Sequence, residues 1–208
     1  MAAGLDAGLQ PVEALVDAER PALLERVPQA EAVAPELMAS LSTLPHPARV
    51  IAVFRRADLP AAVELPVGLA LWRVSDPGNV GTLVRAADAL GPASVLLSAG
   101  CADPTGPKAL RASAGAVFRT PLGALDAGEG AYRVALAPRG GVPLPDLELP
   151  ERVIFVLGAE REGLPAEVLG AADAVATIPQ AGRAESLNVA TVGAIALYEW
   201  RRRSGAWT

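Results

Sequence analysis

From Val67 onward the chain alternates short apolar runs with segments of helical period, and that alternation limits the fold more than any other property. Residues 67–74, 94–97, 133–137 and 153–157 largely lack the polar alternate positions of a half-exposed strand, and read as strands buried on both faces. Between and after them, residues 79–90, 107–112, 165–171 and 186–203 read as helices. Strands separated by helices pair in parallel, because a parallel connection needs a long crossover. The expected fold class is therefore α/β, a mainly parallel sheet with helices on both faces.

A chain of 208 residues with 51% hydrophobic content has ample material for such a core. The pattern before Val67 is different. Residues 11–18, 21–27 and 35–41 each carry proline near the start, where its missing N–H is harmless, and read as short helices. Residues 49–54 read as a strand. The expected division is a small module over 1–58, a Pro-containing linker over 59–66, and a main domain over 67–208.

A formal net charge of −5 excludes a protein that grips nucleic acid through overall positive charge, though not one with local basic patches. One cysteine, Cys101, and one histidine, His46, make neither an internal disulfide nor a usual zinc site, so no metal is expected. The apolar runs are far shorter than a bilayer requires, and the N-terminus lacks the basic start and apolar stretch of a secretory signal. The chain reads as soluble and cytoplasmic, with no membrane partner.

Three polar clusters interrupt this apolar pattern, and polar atoms beside buried structure are costly unless something satisfies them. The first runs over residues 76–91. Asp76 or Asn79 suits the N-cap of the following helix. Arg85 does not fit a capping role. Its side chain leans back over Gly81, one turn earlier, so the guanidinium crosses bare backbone toward the positive helix mouth. A cation is disfavoured there unless an anion such as phosphate is present.

In the second cluster a buried strand ends at Gly158, Ala159 and Glu160, where open α/β sheets bind their ligands. The third is a glycine-containing loop leading through Ser186, Leu187 and Asn188 into a helix that is apolar on almost every side. Ser186 suits the N-cap, whereas Asn188 is expected just inside the first turn, where Ala would be more favourable. A helix apolar all round needs cover from the sheet and from another subunit.

The order and wording of DPGNVGTLVRAADALG, FVLGAEREGLP and IPQAGRAESLNVATVGAIALYE resemble the three motifs of the SpoU (TrmH-like) RNA methyltransferases of the SPOUT superfamily. The resemblance covers about residues 67–203. It implies an S-adenosyl-L-methionine-dependent enzyme that methylates a ribose 2′-hydroxyl in rRNA or tRNA. It also implies a C-terminal trefoil knot and a homodimer formed through the C-terminal helix and the knot region. By the same resemblance the cofactor lies against Leu157, Gly158, Ala159, Gly163, Ile178, Gln180, Ser186 and Leu187. Asn79, Arg85, Glu160, Ser186 and Asn188 match the polar active-site positions.

The match has two departures. Asp76 stands where the family commonly has Asn, a change that keeps the capping chemistry. Residues 35–56 look like the last part of a ribosomal-protein-like RNA-binding module, so residues 1–58 are expected to be a short, incomplete substrate-binding module. Arg55, Arg56, Arg111, Arg183 and Arg201 to Arg203 are the candidates for reading RNA context, although the last three also suit the C-terminal end of a helix. A dinucleotide-dependent oxidoreductase is disfavoured, since residues 78–81 lack the required glycine spacing. Base methylation by the same superfamily is a closer alternative, although those enzymes use different motif wording, and the alternative from another class is a non-catalytic dimeric RNA-binding scaffold of the same fold.

Overall fold

A computed structural model describes residues 2–42, 46–128, 130–182 and 186–205. The chain forms two compact units, residues 1–59 and 60–208.

In the first unit, α1 (Ala2–Asp6), β1 (Glu13–Asp17), β2 (Glu31–Val33), α2 (Pro35–Leu41) and β3 (Val50–Val53) follow one another. The strands form one sheet in the order β2-β1-β3, with β1 parallel to β2 and antiparallel to β3. Residues 11–18, expected as a helix, are therefore mostly strand. Backbone pairing of residues 13–16 with residues 50–53 outweighs the local proline signal, and Ala14 and Val16 turn into the core. Asp17, fully buried, accepts the Arg49 guanidinium at 2.6 Å and the Glu19 N–H at 2.9 Å. This partnering is what makes a carboxylate tolerable there.

The second unit holds β4 (Val67–Leu71), α3 (Pro77–Leu90), β5 (Ala93–Leu97), α4 (Pro107–Ser113), β6 (Leu122–Ala124) and β7 (Tyr132–Leu136). It continues with β8 (Val142–Pro143), β9 (Val153–Leu157), α5 (Ala166–Gly170), β10 (Ala174–Thr177) and α6 (Val189–Ser204). The seven strands run parallel in the order β6-β5-β4-β9-β7-β10-β8. The α/β class with a mainly parallel sheet is confirmed. The central pair β4 and β9 is buried at every residue, which is why both runs are apolar without alternation.

The two faces of the sheet are covered differently. Leu69 and Leu157 meet α6 at Gly193, where an added Cβ would lie 2.3 Å from Leu83 of α3 and 3.0 Å from Leu157. That glycine lets α6, α3 and the sheet close on one another. Leu69, Leu71, Leu83, Phe155 and Leu157 are all fully buried, and each such side chain stabilises the fold by about 1.5–3 kcal/mol. On the opposite face Ala70, Leu96, Ile154 and Val156 pack with Leu125, Leu164 and Val168 under the short α5 and its flanking loops.

Residues 60–66, most of the expected linker, fall within the second unit. Ala62 N–H donates to the Leu122 carbonyl at 2.8 Å, Leu122 N–H donates to Pro60 at 2.9 Å, and Ser94 Oγ donates to Val63 at 2.8 Å. They pair the free edge of β6, which would otherwise expose unmet backbone groups.

Candidate active site

β9, β7 and β10 all end at the same edge of the parallel sheet, and the loops that leave them enclose a cavity of about 330 Å³. This is the edge at which open α/β sheets bind ligands. The first wall is residues 157–161 with Gly163. Gly158 cannot carry a side chain: a Cβ would fall 2.3 Å from the Gly163 carbonyl carbon and 2.6 Å from its oxygen. The chain folds back so tightly because Gly163 takes a φ of +67° and its N–H donates to Ala159 at 3.0 Å. The other walls are Leu136 to Pro138 after β7, then Ile178, Gln180 and residues 186–189 with Val192.

All eight residues expected at the cofactor, Leu157, Gly158, Ala159, Gly163, Ile178, Gln180, Ser186 and Leu187, line this cavity, together with Glu160 and Asn188. Gln180 Oε1 is buried with no hydrogen-bond partner among the described residues. A buried acceptor left unmet costs free energy, so the slot is chemically suited to a ligand that brings an N–H or O–H donor. Leu136, Ala137 and Pro138 were not anticipated as site residues. Their position at the carboxyl end of an expected strand was the available signal.

A chain of polar contacts sits beside the cavity. Glu160 is its centre, with Oε2 accepting from Ser75 N–H at 3.3 Å and from the Ser75 hydroxyl at 3.4 Å. Glu160 Oε1 accepts from Asp76 N–H and from Asn79 Nδ2, both at 3.1 Å. Asn79 Oδ1 in turn accepts from Asn188 Nδ2 at 3.0 Å. The three sequence clusters, more than a hundred residues apart at the extremes, are joined through these three side chains. Burial by itself would raise the Glu160 pKa, but the donors from Asn79, Asp76 and Ser75 outweigh it and hold the carboxyl below its ordinary value. Glu160 is therefore an ionised acceptor with its lone pairs engaged.

Of the two helix starts, that of α3 uses one of its two expected caps and that of α6 differs from expectation. Asp76 is the N-cap of α3, accepting from Asn79 N–H at 2.9 Å, and it pairs with Lys108 at 2.8 Å. That Lys108 partner, followed by the cap bond, lowers its pKa. Asn188 is not inside the first turn of α6; it is the N-cap, accepting from Ala190 N–H at 2.9 Å and Thr191 N–H at 3.3 Å. Its amide thus caps with oxygen and holds Asn79 with nitrogen. Ser186 lies before the cap, exposed at the cavity.

Arg85 is not brought into this group. It is exposed, one turn beyond Gly81, does not line the cavity, and has no ion-pair partner among the described residues. Gly81 is the reason α4 lies so close, since a Cβ there would fall 2.3 Å from the Ala109 carbonyl oxygen. Arg201 to Arg203 are occupied structurally. Arg201 donates to the Gly91 carbonyl at 2.5 Å, and Arg202 and Arg203 both hold Glu199. Arg203 also donates to the Leu144 and Leu147 carbonyls. Arg55 and Arg111 are exposed, Arg56 has a partner, and Arg183 lies outside the described residues.

A parallel α/β sheet with a loop-lined slot at its carboxyl edge, flanked by a Glu160–Asn79–Asn188 relay, defines the class as an α/β protein with a ligand site at the strand ends. Within that class the chain belongs to the SpoU rRNA Methylase family, whose family model matches residues 66–198. An uncharacterized tRNA/rRNA methyltransferase of Synechocystis is 34% identical over 188 residues, covering 84% of this chain and 68% of that protein. The 23S rRNA (guanosine(2553)-2′-O)-methyltransferase of Bacillus subtilis is 31% identical, covering 87% of this chain and 76% of its own length. Among solved structures, the SpoU methyltransferase AviRb of Streptomyces viridochromogenes, in complex with AdoMet, superposes with a TM-score of 0.84. It is 27% identical and covers 100% of this chain and 88% of that one.

Proposed function

We infer that the chain is an S-adenosyl-L-methionine-dependent methyltransferase acting on a ribose 2′-hydroxyl of rRNA or tRNA. The observation that carries this reading is the joining of Glu160, Asn79 and Asn188 beside a backbone-lined slot that contains the Gln180 oxygen, unmet among the described residues. The 2′-O chemistry named for the Bacillus subtilis relative supports the ribose as acceptor.

The residues present fit the cofactor. The slot's apolar walls, Leu136, Leu157, Ile178 and Leu187, suit an adenine ring, and the exposed strand ends offer backbone donors and acceptors at its rim. When bound, S-adenosyl-L-methionine supplies an electrophilic methyl carbon on a sulfonium leaving group. The remaining work falls to the protein: aligning the ribose oxygen and easing the loss of its proton.

Glu160, ionised and engaged by four donors, positions rather than accepts the proton. Asn188 and Ser186 line the slot, which supports a role for them in orienting the ribose. Arg85, whose planar guanidinium has donors and no acceptor, is a clamp for RNA phosphate and not a base. A homodimer formed through α6 and the slot loops, with the C-terminal knot of the family, completes the proposal. In α6, Val192 and Ile195 are partly exposed and Tyr198 is 49% exposed.

Calorimetry with S-adenosyl-L-methionine tests the reading against a non-catalytic scaffold of the same fold. Binding that is lost when Gly158 acquires a side chain is expected. A folded protein that takes up none of the compound favours the scaffold.

A further inference from the structure

We propose that Arg73 is a second RNA-positioning residue, holding a backbone phosphate next to the nucleotide being methylated. Among the described residues two that are not glycine have positive φ, Arg73 at 54° and Ala114 at 49°. Ala114 is the C-cap of α4, an ordinary place for left-handed backbone. Arg73 ends no helix. It sits where the chain leaves β4 for the loop that holds Glu160, and glycine or asparagine would adopt its conformation at less cost.

The surroundings enforce that conformation. Arg73 N–H donates to Ser98 Oγ at 2.9 Å, Trp72 N–H before it donates to Leu157 at 2.8 Å, and Ala102 N–H donates to Val74 after it at 2.9 Å. Two residues further on, the N–H groups of Ser75 and Asp76 hold Glu160. The side chain lies over Gly100, where an added Cβ would be 3.5 Å from both Arg73 Cγ and Nε. Gly100 itself has a φ of +89°. A bare glycine surface thus carries the stem, while the exposed guanidinium has no ion-pair partner among the described residues. Strained backbone that keeps an unpaired, planar, doubly donating cation at the ligand edge of the sheet is explained by an external anion. In an RNA methyltransferase that anion is phosphate.

The inference rests on the proposed methyltransferase activity, and the test separates the two. Arg73→Gly and Arg73→Lys are compared with the parent for thermal midpoint, S-adenosyl-L-methionine affinity, and methyl transfer to protein-free rRNA and bulk tRNA from cells lacking the gene. Arg73→Gly is expected to raise the thermal midpoint by relieving the strained φ, and to leave cofactor affinity unchanged. On the accepted RNA it raises KM about tenfold or more, with kcat within about twofold. The slope of log affinity against log salt falls by about one phosphate contact. Arg73→Lys restores part of the KM without raising the midpoint. An unchanged KM, weakened cofactor binding, or a lowered midpoint in Arg73→Gly overturns the role of Arg73 alone. A parent protein that binds S-adenosyl-L-methionine but methylates neither RNA overturns the proposed activity, and this inference with it.

Discussion

Replacing Asn79 with Ala removes the side chain that hydrogen-bonds both Glu160 and Asn188, and its cost follows from what remains. The Asp76 cap survives, because it uses the Asn79 backbone N–H, and Asn188 still caps α6 through its own oxygen. Lost are one neutral bond at 3.0 Å, worth about 0.5–1.5 kcal/mol, and one to a carboxylate at 3.1 Å, nominally about 1.5–3 kcal/mol. Glu160 is solvent-exposed, so the lower end applies to the second. Alanine returns about 0.5 kcal/mol of helix propensity. The net loss is about 1.5–2.5 kcal/mol, which lowers the thermal midpoint by roughly 3–10 °C for a chain of this size.

The functional effect is expected to be larger than the stability effect. With the relay cut, Glu160 and Asn188 are no longer fixed to each other, and misplacement of about 1 Å in such a site costs on the order of a hundredfold in turnover. Asn79 does not line the slot, so cofactor affinity stays within about threefold. Asn79→Asp separates the two contacts: it can still accept from Asn188 but sets a second carboxylate against Glu160. Single-turnover methyl transfer and calorimetry on both variants are the assays. Turnover of Asn79→Ala within threefold of the parent would refute the view that the relay positions the reacting groups.

Three further outcomes are expected. Gly158→Ala places a methyl group against the Gly163 backbone, which cannot rotate away, so the loop opens at a local cost of about 1–3 kcal/mol; calorimetry should show cofactor affinity reduced at least tenfold. Arg85→Lys keeps the charge but not the planar fork and should lose most of its turnover; retention of most of it would contradict the clamp. Glu199 is held at a pKa of about 2 chiefly by Arg202, then against burial by Arg203, so its contribution is complete above the ordinary value of 4.5. As pH falls from there toward about 2 that contribution disappears, about 1–2 kcal/mol after discounting for the half-exposed Arg202. Urea midpoints of the parent and Glu199→Gln should therefore converge in acid.

The parts of the fold legible in the sequence were those with strong, uninterrupted signals. Val153–Leu157 is a buried strand at the expected boundaries, and α3 was marked by a candidate cap at Asp76 or Asn79 and a regular apolar stripe, though it starts at Pro77, two residues before the expected boundary. β6, β8 and β10 were not anticipated, because two to four residues give no period to read. At the site, the loop residues around the slot followed from strand ends and motif wording. The division of labour did not: two closely spaced polar residues, Ser186 and Asn188, both suit a cap, and tertiary geometry gave it to Asn188. Arg85 was expected to act alongside Ser186 and Asn188, but the helix places it away from the slot.

The most direct measurement is the chemical identity of the product. Unmodified rRNA and tRNA are incubated with the protein and S-adenosyl-L-methionine labelled on the methyl group, digested to nucleosides, and analysed by mass spectrometry. A ribose 2′-hydroxyl acceptor requires the label in a single 2′-O-methylnucleoside, and the relay account expects it reduced on the order of a hundredfold in the Asn79→Ala reaction at equal early times. Label on a nucleobase, or transfer to neither RNA by a protein that binds the cofactor, would contradict it.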